Sequence, residues 1–172
     1  MTDMILFSAI RLSEEAADTA VRLQEILRRR SAGNYPVKEN LHVTVQYYGK
    51  GTNADIARIS DILQEIPLPD TRLQFDRLLR FGGRQGDQIV YGAAENRALQ
   101  VWQNELCEAC RRAGVRFDEK PFRPHITLVR GKEGRIEIDD IDVPAVSFAP
   151  ESPVLFESLQ IKGQRVYRPV WE

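Results

Sequence analysis

The two histidines of the chain, His42 and His125, sit in segments spelled alike: "NLHVTVQYYGK" (Asn40–Lys50) and "RPHITLVRG" (Arg123–Gly131). Each is followed two positions later by a threonine, then by an apolar residue and soon by a glycine. In a strand, residues i and i+2 point to the same side. His42 and Thr44 therefore share a face, as do His125 and Thr127, while Val43, Val45, Ile126 and Leu128 turn toward the core. An imidazole with an ordinary pKa near 6.5 exists in both protonation states at neutral pH, so two of them across a cleft can act as base and acid. Two hydroxyls beside them can donate to the nonbridging oxygens of a phosphate. Should the strands face each other, the set suits in-line attack on a phosphodiester. The base stands behind the nucleophile, the acid at the leaving oxygen, and the donors around the equator. A singly charged phosphate with a protonated leaving group needs no metal. Either strand alone reads as ordinary structure, since threonine is a good strand former; the repetition of the pattern carries the chemical reading.

These segments need elements to position them. Met4–Ile10 is a compact apolar run, consistent with a buried strand. In "LSEEAADTAVRLQEILRRR", Ser13 is a candidate N-cap with glutamates in the first turn. Ala16, Ala20, Leu23 and Leu27 then form the stripe of an amphipathic helix. Arg28, Arg29 and Arg30 fall at its C-terminal end, where a solvated, dipole-complementing end is preferred to a phosphate cluster. "SAGNYPVKEN" reads as a loop that delivers the first histidine strand, Leu41–Tyr48. Ile56, Ile59, Leu63 and Ile66 mark a second helix, stopped by the prolines of "IPLPD". Residues 72–81 and 88–94 read as strands joined by "GGRQGD", a turn that lacks the spacing and the lysine of a phosphate loop. A third helix is predicted over Asn96–Ala113, with Leu99, Trp102, Leu106 and Cys110 on one face and Gly114 at its end. The second histidine strand follows "DEKPFRP", and Ile136–Ile141, Val154–Ile161 and Val166–Val170 read as further strands. Paired strands among a few helices predict an α+β fold. A helix precedes each histidine strand, an echo that two related lobes would explain.

The bulk properties narrow the function classes. With 172 residues the chain is predicted to be one domain, or two small lobes on one core. Apolar content of 42% and charged content of 28% are those of a globular protein. With 24 basic and 25 acidic residues, the net charge of −1 argues against a large nonspecific nucleic-acid footprint and leaves room for a small phosphate ligand. The opening "MTDMILFSAIRLSEE" lacks a signal peptide's basic and long apolar regions, and no segment is long enough to span a bilayer. With two cysteines, a cytoplasmic location is expected. Cys107 and Cys110 have Cys-x-x-Cys spacing but lie inside the third helical pattern, so a packing role is expected rather than redox or zinc chemistry. Asp139, Asp140 and Asp142 read as a solvated turn rather than a metal site.

The paired motifs resemble the two-histidine (2H) phosphoesterase superfamily, whose signature is two His-x-Thr motifs about half a chain apart. Within it the chain is most similar to the bacterial and archaeal RNA 2′,3′-cyclic phosphodiesterases, once described as 2′-5′ RNA ligases. The similarity runs through "LFSAIRLSEE", "KENLHVTVQYYGK", "FRPHITLVRG" and "ESLQIKGQRVYRPV", where Ser158 and Tyr167 match positions typical of the family. It implies a single domain, residues 1–172, of two pseudo-symmetric lobes: two antiparallel β-sheets facing a central groove, with helices packed outside. It implies hydrolysis of 2′,3′-cyclic phosphates to 2′-phosphates, with His42 as general acid toward O3′, His125 as general base toward water, and Thr44 and Thr127 on the phosphate. Arg130 matches a family arginine, but five residues from His125 strict alternation puts it on the opposite face unless the strand bends near Gly131. "QYYGK" departs from a more usual Phe-Leu-Gly, which makes Tyr47 and Tyr48 candidates for nucleobase contact or for packing. No cofactor, no metal and no membrane are expected, the expected partners are RNA ends or small cyclic nucleotides, and a monomer is expected. Two rival functions stay open: sealing a 2′-5′ bond by the same site, and a nonenzymatic RNA-end binding module.

Overall fold

The computed structural model describes residues 4–82, 86–132 and 134–172. Gly83–Gln85, the middle of the expected glycine-rich turn, lie outside the described residues, as do the first three residues of the opening stretch. Along the chain run β1 (Met4–Arg11), α1 (Glu14–Arg28), β2 (Gly33–Asn34), β3 (His42–Gly51), α2 (Asn53–Glu65), β4 (Leu73–Phe81) and β5 (Gln88–Ala93). They are followed by α3 (Arg97–Ala113), β6 (His125–Gly131), β7 (Val146–Phe148), β8 (Val154–Ile161) and β9 (Gln164–Trp171). The fold is α+β, as the pattern predicts. The caps behave as read: the Ser13 hydroxyl accepts from the Ala16 amide at 3.1 Å, and Gly114 closes α3 in the left-handed region at φ 72°. Among the described residues no helix is long and apolar enough to cross a membrane.

All strand pairings are antiparallel, in the order β7-β4-β5-β6-β3-β1-β8-β9, with β2 on β6. The histidine strands β3 and β6 are the central neighbours and share one register pair, Val43 with Ile126. Two four-stranded antiparallel halves thus meet at that pair, and hydrogen bonding passes from one to the other there. The helices cover one side. α1 packs on β6 and β7, while α2 packs on α3, β3, β8 and β9. α3 reaches β3 through Gln103, whose amide donates to the Val45 carbonyl at 3.1 Å. Each of α1 and α3 therefore precedes one histidine strand in the chain and covers the other. The core between helices and sheet contains Leu23, Leu27, Leu99, Leu106, Val43 and Ile126, all buried. Each such side chain contributes ~1.5–3 kcal/mol.

The expected strand at Ile136–Ile141 does not form. Ile136 and Ile138 are buried, but the segment is held by side chains rather than by a neighbouring strand. The Asp87 carboxylate accepts from the Ile136 amide at 2.9 Å, Arg80 donates to the Ile136 carbonyl, and Arg30 donates to the Glu137 carbonyl at 2.9 Å. Apolar alternation marked burial there, not pairing. The outer position beside β4 goes instead to the short β7.

Candidate active site

The face opposite the helices carries the paired motifs. Val43 and Ile126 are fully buried, so their neighbours on both strands turn the other way, where His42, Thr44, His125 and Thr127 are half-buried. Moving one residue to either side of the Val43–Ile126 pair sets His42 against Thr127 and Thr44 against His125. The rings are pinned alike. Nδ1 of His42 lies 2.6 Å from the Asn40 carbonyl, and Nδ1 of His125 lies 2.6 Å from the Arg123 carbonyl. A carbonyl only accepts, so Nδ1 carries the proton in each ring and Nε2 is the atom left for chemistry. Nε2 of neutral His42 accepts from the Thr44 hydroxyl at 2.9 Å. Thr127 differs: its oxygen accepts from the Gln88 amide at 3.0 Å, which leaves its own proton free to be donated into the groove.

The electrostatics are also uneven. Burial pushes the pKa of His42 down to about 4, and the charges of Arg130 and His125 push the same way against the Asn40 carbonyl. The ring rests on an aromatic wall, 5.1 Å from Phe7 and 5.3 Å edge-on from Tyr167. Burial lowers His125 as well, with Arg123 and Arg130 adding to it against the Arg123 carbonyl. Its aromatic neighbour is Phe81, edge-on at 4.9 Å. Both shifts favour the neutral ring in the free protein, and an anion placed between the two would oppose the field that Arg130 imposes.

Strict alternation fails at the same place in both motifs. Ser8 pairs with Gln46 and Ala9 with Thr44, so Val45 is an extra residue in β3. Ile89 pairs with Val129 and Val90 with Thr127, so Leu128 is an extra residue in β6. These are β-bulges three residues after each histidine, and each turns two consecutive side chains into the core. Val45 and Gln46 are buried, and so are Leu128 and Val129. The phase then flips, and the fifth residue after each histidine returns to the groove. Arg130 reaches it in this way, and Tyr47 occupies the matching place in the other half. Tyr48 is the correction: it is buried, donating to Gln46 at 2.8 Å and accepting from Ser8 at 2.9 Å, so it packs and does not face a base. A buried glutamine satisfies the carbonyl of each extra residue. Gln103 of α3 donates to Val45, and Gln24 of α1 donates to Leu128 at 3.0 Å. Gly33 allows β2 to pass close to this point, since a Cβ there would stand 2.8 Å from the Arg130 carbonyl and from Val129.

Both histidines, both threonines, Tyr47 and Arg130 line one cavity of about 550 Å³. Ser158 and Tyr167 are in its wall, as are Phe7, Gln88, Asn40 and Arg165, which sequence reasoning did not single out. Phe7 was hidden in an apolar run that read as wholly buried; its face became clear only from the pairing of β1 with β3. Gln88 lies outside every quoted segment, and Arg165, although inside "ESLQIKGQRVYRPV", is a single polar residue that nothing there sets apart. The Cys-x-x-Cys pair packs against Gln46, with Cys110 buried and its thiol pushed up to about 11 by that burial. Asp140 sits on the surface paired with Arg30 at 2.6 Å. Among the described residues no group of three or more His, Cys, Asp or Glu is arranged to hold a metal ion.

The model of the LigT-like phosphoesterase family matches the chain twice, over residues 10–91 and 92–171. A curated relative, the RNA 2′,3′-cyclic phosphodiesterase of Archaeoglobus fulgidus, is 27% identical over 139 residues, which is 80% of this chain and 78% of that protein. The protein of the same name from Thermotoga maritima is 26% identical over 181 residues, covering 98% and 94% of the two chains. The crystal structure of E. coli LigT in apo form superposes with a TM-score of 0.81 at 24% identity, over 99% of this chain and 96% of that one. The E. coli LigT complex with 3′-AMP gives 0.81 at 23% identity, over 98% and 96%.

Proposed function

This chain belongs to the LigT-like phosphoesterases, whose family model spans both of its halves, and from that premise we propose that it hydrolyses 2′,3′-cyclic phosphate ends of RNA or nucleosides to 2′-phosphates. The observation that carries the reading is the placement of two Nε2 atoms, two hydroxyls and Arg130 around one cavity. A water attacks phosphorus in line with O3′, and His125 Nε2 takes its proton as the P–O3′ bond breaks. His42 Nε2 gives a proton to O3′, leaving a 2′-phosphate and a free 3′-hydroxyl. Thr44, Thr127 and Arg130 hold the nonbridging oxygens, and Tyr47 offers its ring to the nucleobase. No step in this scheme needs a metal.

The acid role asks that His42 be protonated, and the Thr44 contact supplies a switch. While His42 is neutral, the Thr44 proton is spent on Nε2. Once Nε2 is protonated it becomes the donor, and the Thr44 proton is released to a phosphate oxygen. Phosphate binding and His42 protonation thus favour each other. The reading treats residues 1–172 as one domain of two pseudo-symmetric lobes, supported by the family match to each half. Both histidines come from one chain, so a monomer is sufficient. Incubation with nucleoside 2′,3′-cyclic phosphates in EDTA tests the proposal. A 2′-phosphate product is expected. A 3′-phosphate would overturn the assignment of O3′ as leaving group, and binding without turnover would replace the hydrolase by an RNA-end binding module.

A further inference from the structure

The cavity holds more positive charge than one cyclic phosphate uses. Among the described residues its wall contains two arginines, Arg130 and Arg165, and no carboxylate, in a chain with 25 acidic residues. Arg130 stands near both histidines, since its charge lowers both of their pKa values. Arg165 enters from β9, on the far side of the first half. Other arginines, such as Arg11, Arg30, Arg80 and Arg168, pair with carboxylates. The Arg165 guanidinium instead donates to the Ser158 hydroxyl at 3.2 Å. Its backbone is tied to the reacting centre: the Asn40 amide donates to the Arg165 carbonyl at 2.9 Å, and the Asn40 carbonyl holds His42 Nδ1 at 2.6 Å. Arg165 is exposed, and a cation in a carboxylate-free wall focuses the field of the cleft on anions.

We propose that Arg165, with the Ser158 and Tyr167 hydroxyls, forms a second phosphate subsite that takes the phosphate one nucleotide upstream of the cyclic end. This rests on the hydrolase reading and deepens it. The preferred substrate is then an oligonucleotide end, or a nucleotide with a second phosphate, rather than a bare nucleoside cyclic phosphate. The Tyr47 ring, 45% exposed, lines the same cavity and is available to the nucleoside between the two phosphates. A volume of about 550 Å³ accommodates that unit, within the ~300–1,000 Å³ usual for small-molecule sites.

The test compares kcat/KM for a nucleoside 2′,3′-cyclic phosphate, its 5′-phosphorylated form and a dinucleotide ending in the cyclic phosphate. The native protein is expected to favour the two-phosphate substrates by about tenfold, mainly through KM, as one charge-assisted contact gives. Arg165→Gln should remove most of that preference, Arg165→Lys should keep part of it, and added salt should weaken it. A gain from both two-phosphate substrates assigns the subsite to phosphate itself; a gain from the dinucleotide alone assigns it to the internucleotide diester. No preference in the native protein, or an equal loss on all three substrates in Arg165→Gln, would overturn the subsite. Equilibrium binding of a nucleoside 2′-monophosphate against its 2′,5′-bisphosphate reads the same contrast without turnover. Failure of hydrolysis and failure of the subsite are therefore told apart.

Discussion

If His42 is the acid, anion binding must protonate it, and the size of that effect follows from the site. Burial against Phe7 and Tyr167, with Arg130 nearby, holds its pKa at about 4 in the free protein. A unit negative charge about 4 Å from the ring, at an effective dielectric of about 20, is worth ~4 kcal/mol. That is ~3 pKa units, which places the complex near 7. The sign is definite. The folded value lies below the ordinary 6.5, so His42 contributes stability above pH 6.5 that is lost as pH falls toward about 4. With an anion bound, the group instead takes up a proton near neutrality, so affinity rises as pH falls through ~7 and levels off below ~4. Carbon-detected NMR of the imidazoles follows this directly, because the chain has two histidines and one His125→Gln variant assigns both. Titration is run without ligand and with a saturating nucleoside 2′-monophosphate. A His42 pKa that stays below ~5 in the complex would refute the acid assignment and hand that role to His125.

His42→Ala and His125→Ala are each expected to lower kcat by about 10²–10⁴-fold with little change in melting temperature, since neither ring is in the core; near-native turnover in either would remove it from the acid–base pair. Thr44→Val and Thr127→Val should each raise the barrier by ~2–4 kcal/mol in kcat/KM. Gln88→Leu should reproduce a fraction of the Thr127 loss, because it frees the hydroxyl that Gln88 orients. Tyr47→Leu should raise KM and leave the fold intact. Tyr48→Phe should do the reverse, costing ~1–3 kcal/mol of stability through its buried partners Ser8 and Gln46 and leaving KM alone.

Much of the fold was legible because local signals agreed with it. The three helices announced themselves by 3.6-residue periodicity, with caps read at Ser13 and Gly114, and each is where the pattern put it apart from Asn96, which caps α3 rather than opening it. The sheet order was not legible. No local pattern tells α1 to cross to β6 or β8 to lie beside β1, because these are nonlocal pairings decided by burial. Two short strands were missed for a related reason. β2 and β7 are too short for periodicity, and both exist only through their partners β6 and β4. Ile136–Ile141 erred the other way, having a strand's alternation and no strand to pair with. At the site, repetition of His-x-Thr was a strong signal because two identical coincidences are needed to produce it. Arg165 and Gln88 were silent, being single polar residues placed by topology.

The bulges show where alternation stops being a guide and what sets it right. An extra residue leaves a backbone carbonyl outside the ladder, and a buried carbonyl without a partner costs ~1–3 kcal/mol. The fold meets that cost with one glutamine on each crossing helix: Gln24 for Leu128 and Gln103 for Val45. Neither glutamine lines the cavity itself, although Gln24 also donates to the carbonyl of Pro36 in its wall at 2.9 Å, and both hold the phase change that turns Arg130 and Tyr47 into it. Gln24→Met and Gln103→Met, similar in volume, remove the donors without opening space. Both should lower stability by ~1–3 kcal/mol. Their catalytic effects should part company. Gln24→Met disturbs the Arg130 half and should act on kcat/KM for every cyclic phosphate. Gln103→Met disturbs the Tyr47 half and should act on discrimination between nucleobases. If both variants, assayed well below their melting temperatures, keep native kcat/KM and native base preference, the bulges are held by the ladder itself and the glutamines serve stability alone.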